Sequence, residues 1–308
     1  MESKILHFFA PLGNVDKSIL KLKLNEGFQL DSTTYNEGRI SLSKLEKFPL
    51  EYFGHWRHIH TVFPHGGMYF IKKSFEFNLP IKENRDPDFY PELYKFANTI
   101  VEKNIENPLR LLRLFKEGNI HLPCWYIYYY KDEIPVILYA NGTPFPQIQS
   151  LYHLDDDEIK TAQDFIEKTI LPFAFPYIKL AHDNYELSYM VHDDSLSFLS
   201  LMISLEVLFK PKQNRGFSKT ISRNVGTLLG TSRDEIEKIQ KDISDLYTKR
   251  SELVHEGKII WCPVEEDDDL TILRRYVRGS LKKIIRLNQS KDDLLEYLNN
   301  PINKKSVS

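Results

Sequence analysis

The sequence contains little cysteine and no long apolar run. Its two cysteines, Cys124 and Cys262, lie far apart in the chain and match no spacing typical of a metal or redox site. Nothing in this pattern indicates an oxidising compartment. No apolar run reaches the ~18 residues of a membrane span, and residues 1–9 lack the apolar core and small-residue cleavage site of a signal peptide. We therefore expect a cytoplasmic protein that does not contact a membrane.

The sequence also lacks an excess of either charge. It has 41 Lys and Arg residues against 43 Asp and Glu residues, which leaves a formal net charge of −2. No global field directs such a chain to nucleic acid, so any contact with a phosphate backbone has to come from a local basic patch. A hydrophobic fraction of 42% is typical of a packed globular protein, and 308 residues are enough for two domains or one large one.

Strand patterns dominate the chain up to about residue 140. Apolar runs, or alternation of apolar and polar residues, predict strands at 5–9, 18–24, 38–42, 68–71, 75–77, 125–130 and 134–139, the last two as a hairpin. Apolar residues at helical spacing predict helices at 93–101, 109–116 and 155–169. This half of the chain therefore has the pattern of a mixed, β-rich domain.

The chain has a helical pattern from Asp193 onward. An N-cap at Asp193 or Asp194 precedes a run at 196–209 that is apolar nearly all round, so we expect this helix to be central and buried. Further helices are predicted at 270–288 and 292–298. We place a domain boundary near residue 185. The predicted fold class is α+β, with a mixed β-rich N-terminal domain at 1–185 and an all-α helical bundle at 186–308.

Two groups of N-terminal residues each allow a functional and a structural interpretation. His58 and His60 lie in a cluster with His55 and His65, and on a strand two such imidazoles can share a zinc ion, although no further ligand completes a set of four. The alternative is a loop with ordinary histidines. The tyrosines at 126–130 either form a platform on which bases stack or fill a sheet core.

The strongest chemical signal lies at 242–257, which has the pattern of the last turns of a helix ending at Gly257. Arg250 and His255 are separated by four residues there. Arginine carries a planar fork of donors suited to phosphate oxygens, and histidine exchanges a proton near neutral pH. On an ideal helix the two side chains point about 140° apart. Either the helix ends or distorts near His255, or a second copy of the chain supplies the missing half of the site.

Three residues are candidates for supporting this pair. Glu206 lies in an apolar run and needs a cationic partner, for which Arg223 and Arg250 are the candidates. Tyr247 precedes Arg250 by one helical turn, and Ser251 precedes His255 by four residues, so each shares a helix face with its neighbour. The alternatives are an ion pair that anchors the bundle and two ordinary helix residues.

Two local sets of basic residues are candidates for contact with RNA. The first lies at 210–223, a segment that contains no acidic residue, and comprises Lys210, Lys212, Arg215, Lys219 and Arg223. The second, Arg274 and Arg278, belongs to the helix predicted at 270–288. Such residues neutralise backbone phosphates, but a basic stripe is equally compatible with a simple solvated face.

The segment Arg250-Ser251-Glu252-Leu253-Val254-His255 resembles the Arg-x(4–6)-His motif of ribonucleases in the HEPN superfamily. The order of the segments at 204–209, 221–230, 246–251 and 254–257 is similar to that in the ApeA-like branch of these domains. The resemblance covers about residues 190–300. One departure is Ser251, because many nuclease members have Asn, Asp or His at that position.

The resemblance implies a metal-independent endoribonuclease that needs no cofactor. Arg250 is then expected to hold the scissile phosphate and His255 to act as general acid or base. Family members of this kind suggest a homodimer and a conditional toxin or anti-phage effector, whose N-terminal domain senses a phage-derived or cellular trigger. Two alternatives stay open, namely a non-catalytic HEPN module that binds RNA, a nucleotide or a protein partner, and a metal-dependent enzyme that uses the N-terminal histidines.

Overall fold

The computed structural model describes most of the chain. The described residues are 2–36, 39–40, 67–79, 89–131, 134–142, 151–211, 217–258 and 268–300. They confirm the α+β fold class, with strands in the N-terminal half and helices alone after residue 150. The histidine cluster, Lys212, Arg215 and Cys262 lie outside the described residues.

The chain divides into two compact units, 1–169 and 170–308. The boundary near residue 185 that the sequence predicted falls inside a helix, Pro176–Met190, which packs with the second unit. The break therefore comes earlier, in the proline-containing segment that precedes this helix. The two units are described separately below.

The first unit contains a six-stranded antiparallel sheet. Its strands are β1 (Glu2–Leu12), β2 (Gln29–Asn36), β3 (Arg39–Ile40), β4 (Gly67–Leu79), β5 (Cys124–Lys131) and β6 (Ile134–Gly142). Their order across the sheet is β3-β2-β4-β1-β5-β6. β1 pairs with both β4 and β5 and is therefore a central strand. Phe8, Phe9 and Ala10 point to alternate faces of it and are all buried, so both faces are covered here, and this explains the unbroken apolar run.

Helices of the first unit pack through aromatic contacts. They are α1 (Phe89–Val101), α2 (Asn107–Phe115) and α3 (Glu158–Lys168), with a π-helical turn at Glu102–Glu106 between the first two. The rings of Phe75 in β4 and Phe96 in α1 are 5.6 Å apart, and Phe115 in α2 lies 5.9 Å from Phe165 in α3. Tyr126 is buried in β5, as expected of a tyrosine that fills a sheet core.

The strand predicted at 18–24 is wrong. The chain forms 3₁₀ turns at Lys17–Lys21 and Asn25–Gly27 instead. Asp16 caps the first turn because its side chain accepts the backbone N–H of Ser18 at 2.9 Å, and such a cap outweighs a short alternating pattern. Glu26 and Gly27 have φ values of 55° and 77°, which a strand does not allow. The strands predicted at 68–71 and 75–77 are one continuous strand, β4.

A cluster of charged residues joins the start of the 3₁₀ turn to the segment before α3. His153 Nδ1 lies 2.6 Å from Asp16 Oδ2, and His153 Nε2 lies 3.3 Å from Asp155 Oδ1. Asp155 also accepts a bond from Lys116 at 3.0 Å. Burial raises the pKa of Asp16, but hydrogen bonds from Ser18 and His153 outweigh burial and lower it overall. The hydrogen bond with Asp16 raises the pKa of His153.

We expect this cluster to make the first unit most stable in mildly acidic solution. The raised pKa of His153 gives stability that is complete below its ordinary pKa of 6.5 and is lost as the pH rises through the raised value. The lowered pKa of Asp16 gives stability that is present above 3.8 and is lost on further acidification. Thermal unfolding at about pH 5.5 and about pH 8 measures the difference.

Asp16→Asn is expected to reduce the difference between the melting temperatures at about pH 5.5 and about pH 8. The matched control is Asp164→Asn, which removes a carboxylate of the same unit that pairs with Lys168 instead. An unchanged pH difference in Asp16→Asn contradicts the role assigned to the pair.

The second unit is a bundle of helices. Its members are α4 (Pro176–Met190), α5 (Asp194–Phe209), α6 (Phe217–Leu229), α7 (Arg233–Glu256), α8 (Asp269–Leu287) and α9 (Lys291–Asn299). N-caps at Asp193, Ser232, Asp268 and Ser290 each accept a backbone N–H from the first turn of the helix that follows. Within the described ranges, no helix is both long and apolar enough to cross a membrane.

Helix α5 is the centre of this bundle. It contacts α4, α6, α7, α8 and α9, and Phe198, Leu201 and Leu205 on it are fully buried. The prediction of a central helix is confirmed for the sides of α5 that face these helices. The prediction that it is buried all round is not met on the side that carries Leu196 and Ile203, which are 53% and 45% exposed.

Helices α6 and α7 approach each other closely at two glycines. A Cβ atom at Gly226 would lie 2.8 Å from Cγ of Gln240, and one at Gly230 would lie 2.5 Å from Cγ1 of Ile236. Both distances are shorter than a real Cβ contact, so only glycine fits at these positions without a shift of the neighbouring helix. This contact fixes the position of α7 along α6.

Candidate functional site

Helix α7 carries the Arg/His motif in its last two turns. The helix begins at the Ser232 cap and ends at Gly257, whose φ of 67° is the left-handed conformation that glycine adopts easily. Arg250 and His255 both lie inside this continuous helix. The helix ends near His255, as predicted, but this end comes after both residues, so ideal helical geometry leaves the two side chains about 140° apart. One chain does not bring these side chains together.

Arg250 faces Glu206 on the central helix. Its Nη2 lies 3.7 Å from Glu206 Oε1, and the two side chains are 31% and 18% exposed. At this distance the pair is an ion pair without a hydrogen bond. Arg223 and Arg250 were the two predicted candidates for the partner of Glu206. The ion pair identifies Arg250 as the partner, and Arg223 donates to Asn299 instead.

Glu206 keeps an unused acceptor. Its buried Oε1 has no hydrogen-bond partner among the residues that the structure describes. A buried carboxylate oxygen in this state is costly unless a donor reaches it. The site therefore offers one acceptor oxygen beside a guanidinium that is still partly exposed.

Tyr247 packs beneath the pair as a neutral residue. Burial raises its pKa well above the usual range, the negative charge of Glu206 raises it further, and Arg250 opposes both. Its ring meets that of Phe217 edge-on at 6.2 Å, and Lys210 Nζ lies 4.6 Å from the centre of the Phe217 ring. Tyr247 therefore supports the site by packing and does not exchange protons at ordinary pH.

His255 lies at the surface in the last turn of α7. It is exposed together with Ser251, which precedes it by one turn. Val254 beside it is 48% exposed. The imidazole is therefore accessible to a second macromolecule, and Arg250 of the same chain faces elsewhere.

A pocket of about 660 Å³ opens next to Glu206. Four of its lining residues, Ile203, Glu206, Val207 and Lys210, share one face of α5 because their spacing is i, i+3, i+4 and i+7. Pro211 and three residues of α9, Lys291, Asp292 and Leu295, complete the lining. Glu206 thus belongs both to this pocket and to the ion pair with Arg250.

The predicted RNA-contacting residues do not form one surface. Lys210 lies at the pocket, and Lys219 and Arg223 are exposed on α6. Arg278 is half-buried, and its charge acts on the buried Tyr185 of α4. Of the described members of the predicted set, Lys210 alone lines the pocket beside Glu206.

Arg274 requires a correction, because it is only 5% exposed and unsuited to contact RNA. Its Nη2 donates to the backbone carbonyl of Ser188 at 2.6 Å, and its guanidinium lies 4.8 Å from the centre of the Tyr189 ring. The last four carbonyls of a helix lack intrahelical partners, and Ser188 belongs to the last turn of α4. Arg274 therefore caps the C-terminal end of α4.

Sequence reasoning missed Lys291 as a site residue. It is the first residue of α9, and in the chain it lies far from the α5 residues of the pocket. Lys210 and Lys291 line the same pocket. Burial lowers the pKa of Lys291, and the charge of Lys210 lowers it further. No sequence signal was available, because this neighbourhood arises only when α9 packs against α5.

Within the ranges that the structure describes, no group of three or more His, Cys, Asp or Glu residues is placed to hold a metal ion. The histidine cluster at His55, His58, His60 and His65 lies outside those ranges. The alternative of a metal site there stays a prediction.

Among the described residues of the helical unit, the candidate site consists of the partly exposed Arg250, the exposed His255 and the pocket beside Glu206. The resemblance to HEPN domains described above rests on the residues quoted there. No model of a known protein family, no characterised protein and no solved structure matches the chain.

Proposed function

We propose that the protein is a metal-independent endoribonuclease of the HEPN type. Arg250 binds the scissile phosphate and offsets the charge that develops in the transition state. His255 acts as general acid or base. The observation that carries the proposal is the position of Arg250, whose side chain is 31% exposed and whose Nη2 lies 3.7 Å from Glu206 without a hydrogen bond to it. Glu206 therefore does not occupy its donors.

Cleavage proceeds through the ribose 2′-hydroxyl. This hydroxyl loses its proton to a general base, and its oxygen attacks the phosphorus while the bond from phosphorus to the 5′-oxygen breaks. The leaving 5′-oxygen takes a proton from a general acid. His255 performs one of these two transfers. The products are a 2′,3′-cyclic phosphate and a 5′-hydroxyl, and no metal ion or cofactor takes part.

The active form is a homodimer that combines Arg250 of one chain with His255 of the other. Ideal helical geometry, which leaves the two residues about 140° apart, supports this arrangement. Val254, next to His255, also leaves apolar surface that is 48% exposed at the end of α7 where the second chain would bind.

The biological role that fits such an activity is a conditional toxin or anti-phage effector. An unrestrained ribonuclease harms the cell that makes it. The first unit, with its sheet and its charged cluster at His153, then acts as the sensor of a phage-derived or cellular trigger. This assignment follows from the family resemblance.

Incubation of the purified protein with end-labelled single-stranded RNA in EDTA tests the proposal. We expect cleavage that yields 2′,3′-cyclic phosphate ends, with DNA of the same sequence left intact because it lacks the attacking hydroxyl. Cleavage that disappears in EDTA contradicts a metal-independent mechanism and favours the N-terminal histidines as metal ligands. Equal cleavage of DNA contradicts the 2′-hydroxyl as nucleophile.

The second candidate is a non-catalytic HEPN module that binds RNA, a nucleotide or a protein partner. The ion pair between Arg250 and Glu206 favours it, because buried ion pairs are often only architectural. This candidate predicts RNA binding without cleavage. It also predicts that binding survives His255→Ala, which a gel-shift titration measures.

A further inference from the structure

Two lysines from different helices meet at the pocket beside Glu206. Lys210 follows the last residue of α5, and Lys291 begins α9. Within the described part of the chain neither forms an ion pair with a carboxylate within 4.0 Å, although the charge of Asp292 partly offsets that of Lys291. Like charges held together repel each other, so the pair is stabilised when an anion lies between the two ammonium groups.

The same pocket contains a carboxylate. Glu206 lines it, and the buried Oε1 of Glu206 lies on the side of Arg250, 3.7 Å from its Nη2. A ligand that carries only negative charge is repelled by this carboxylate. A ligand with an anionic group at one end and an N–H or O–H donor at the other fits both the lysines and Glu206.

Between these polar groups the pocket walls are apolar. Ile203, Val207, Pro211 and Leu295 supply them. Its volume of about 660 Å³ lies within the usual range for small-ligand sites, roughly 300 to 1,000 Å³. A flat ring with polar edges packs against such walls. A nucleotide combines a ring of this kind with a phosphate and with hydroxyl or amino donors.

We propose that this pocket binds one nucleotide of the RNA, with its phosphate between Lys210 and Lys291, its base against the apolar walls and one of its donors on the Glu206 carboxylate. The inference rests on the proposed function, since the ligand is taken to be part of the substrate. Glu206 then links the two sites, because its side chain lines the pocket and its Oε1 lies 3.7 Å from Arg250. The pocket sets which nucleotide lies beside the scissile phosphate.

Calorimetric titration of the full-length protein with adenosine 5′-monophosphate tests the pocket alone, because this molecule has no bond to cut. We expect Lys210→Ala and Lys291→Ala each to weaken binding about tenfold, the loss of one charge-assisted contact. Lys238→Ala is the matched control, since Lys238 is exposed on α7 and does not line the pocket. Ile203→Trp fills the pocket from a wall position that is 45% exposed, and we expect it to abolish binding with little effect on folding.

Titration with single-stranded RNA at several salt concentrations gives a second readout. Lys210→Ala and Lys291→Ala are each expected to reduce the slope of log affinity against log salt by about 0.7, the value for one phosphate contact on a single strand. Nucleotide binding that is absent, or that Lys210→Ala, Lys291→Ala and Ile203→Trp all leave unchanged, overturns the pocket proposal. If RNA is still cut in that case, the proposed function stands alone. If the nucleotide binds through the lysines and RNA is not cut, the proposed function fails and the pocket remains as a nucleotide site.

Discussion

Mixing the Arg250→Ala and His255→Ala variants is expected to restore RNA cleavage that each variant alone has lost. Each single variant should cut at least about 100-fold more slowly than the unchanged protein, the lower end of a general acid–base contribution. In a mixed dimer one of the two sites lacks both residues, and the other keeps both. Because α7 is continuous through Arg250 and His255, this result follows only if the site combines residues of two chains.

The amount of cleavage activity that mixing restores follows from the statistics of subunit exchange. If subunits exchange freely, half of the dimers are mixed and each has one intact site of two, so about a quarter of the original activity returns. Arg233→Ala is the matched control, because Arg233 begins the same helix with its side chain 89% exposed. Mixed variants that stay inactive after verified exchange contradict the two-chain site. Single variants that retain full activity contradict the assignment of Arg250 and His255.

Arg274→Ala is expected to lower the free energy of unfolding of the helical unit by about 3 kcal/mol. The substitution removes the donor to the Ser188 carbonyl and the cation over the Tyr189 ring, and it leaves the end of α4 uncapped. Helix α4 has no basic residue of its own in its last turn, so nothing on that helix replaces the lost charge. Urea unfolding followed by the helical circular dichroism signal measures the effect.

The adjacent residue supplies the matched control. Arg275 is exposed on α8, about 100° around the helix from Arg274, and Arg275→Ala should lower stability by no more than about 1 kcal/mol, the usual upper limit for a surface ion pair. RNA affinity should be the same in Arg274→Ala as in the unchanged protein, provided that it is measured where both are folded. Unchanged stability together with weaker RNA binding would support Arg274 as an RNA contact after all.

Features of the fold that depend on neighbouring residues in the chain could be predicted from the sequence. The N-cap at Asp193 and the helix end at Gly257 are examples, because a cap acts within one turn of its own helix. The hairpin of β5 and β6 is another. Asp16 acts just as locally, but its cap was hidden by the alternating apolar pattern that follows it.

Features that depend on packing could not be predicted. Helix α4 was missed because Leu180 and Leu187 on it are 51% and 43% exposed, so its apolar residues do not form the single stripe that identifies a helix facing a core. Arg274 and Arg275 are neighbours with the same chemistry in the sequence, and only the position of α4 buries one of them. The closeness of Lys210 and Lys291 likewise has no trace in the chain.

The glycine contacts between α6 and α7 limit how the site can be controlled. A slide of α7 by one turn, about 5.4 Å, would bring the side chains of other residues into the space that only Gly226 and Gly230 leave open. An axial slide of α7 relative to α6 would therefore have to rebuild both contacts. A movement that carries Arg250 and His255 along with α7 is expected to carry α6 with it.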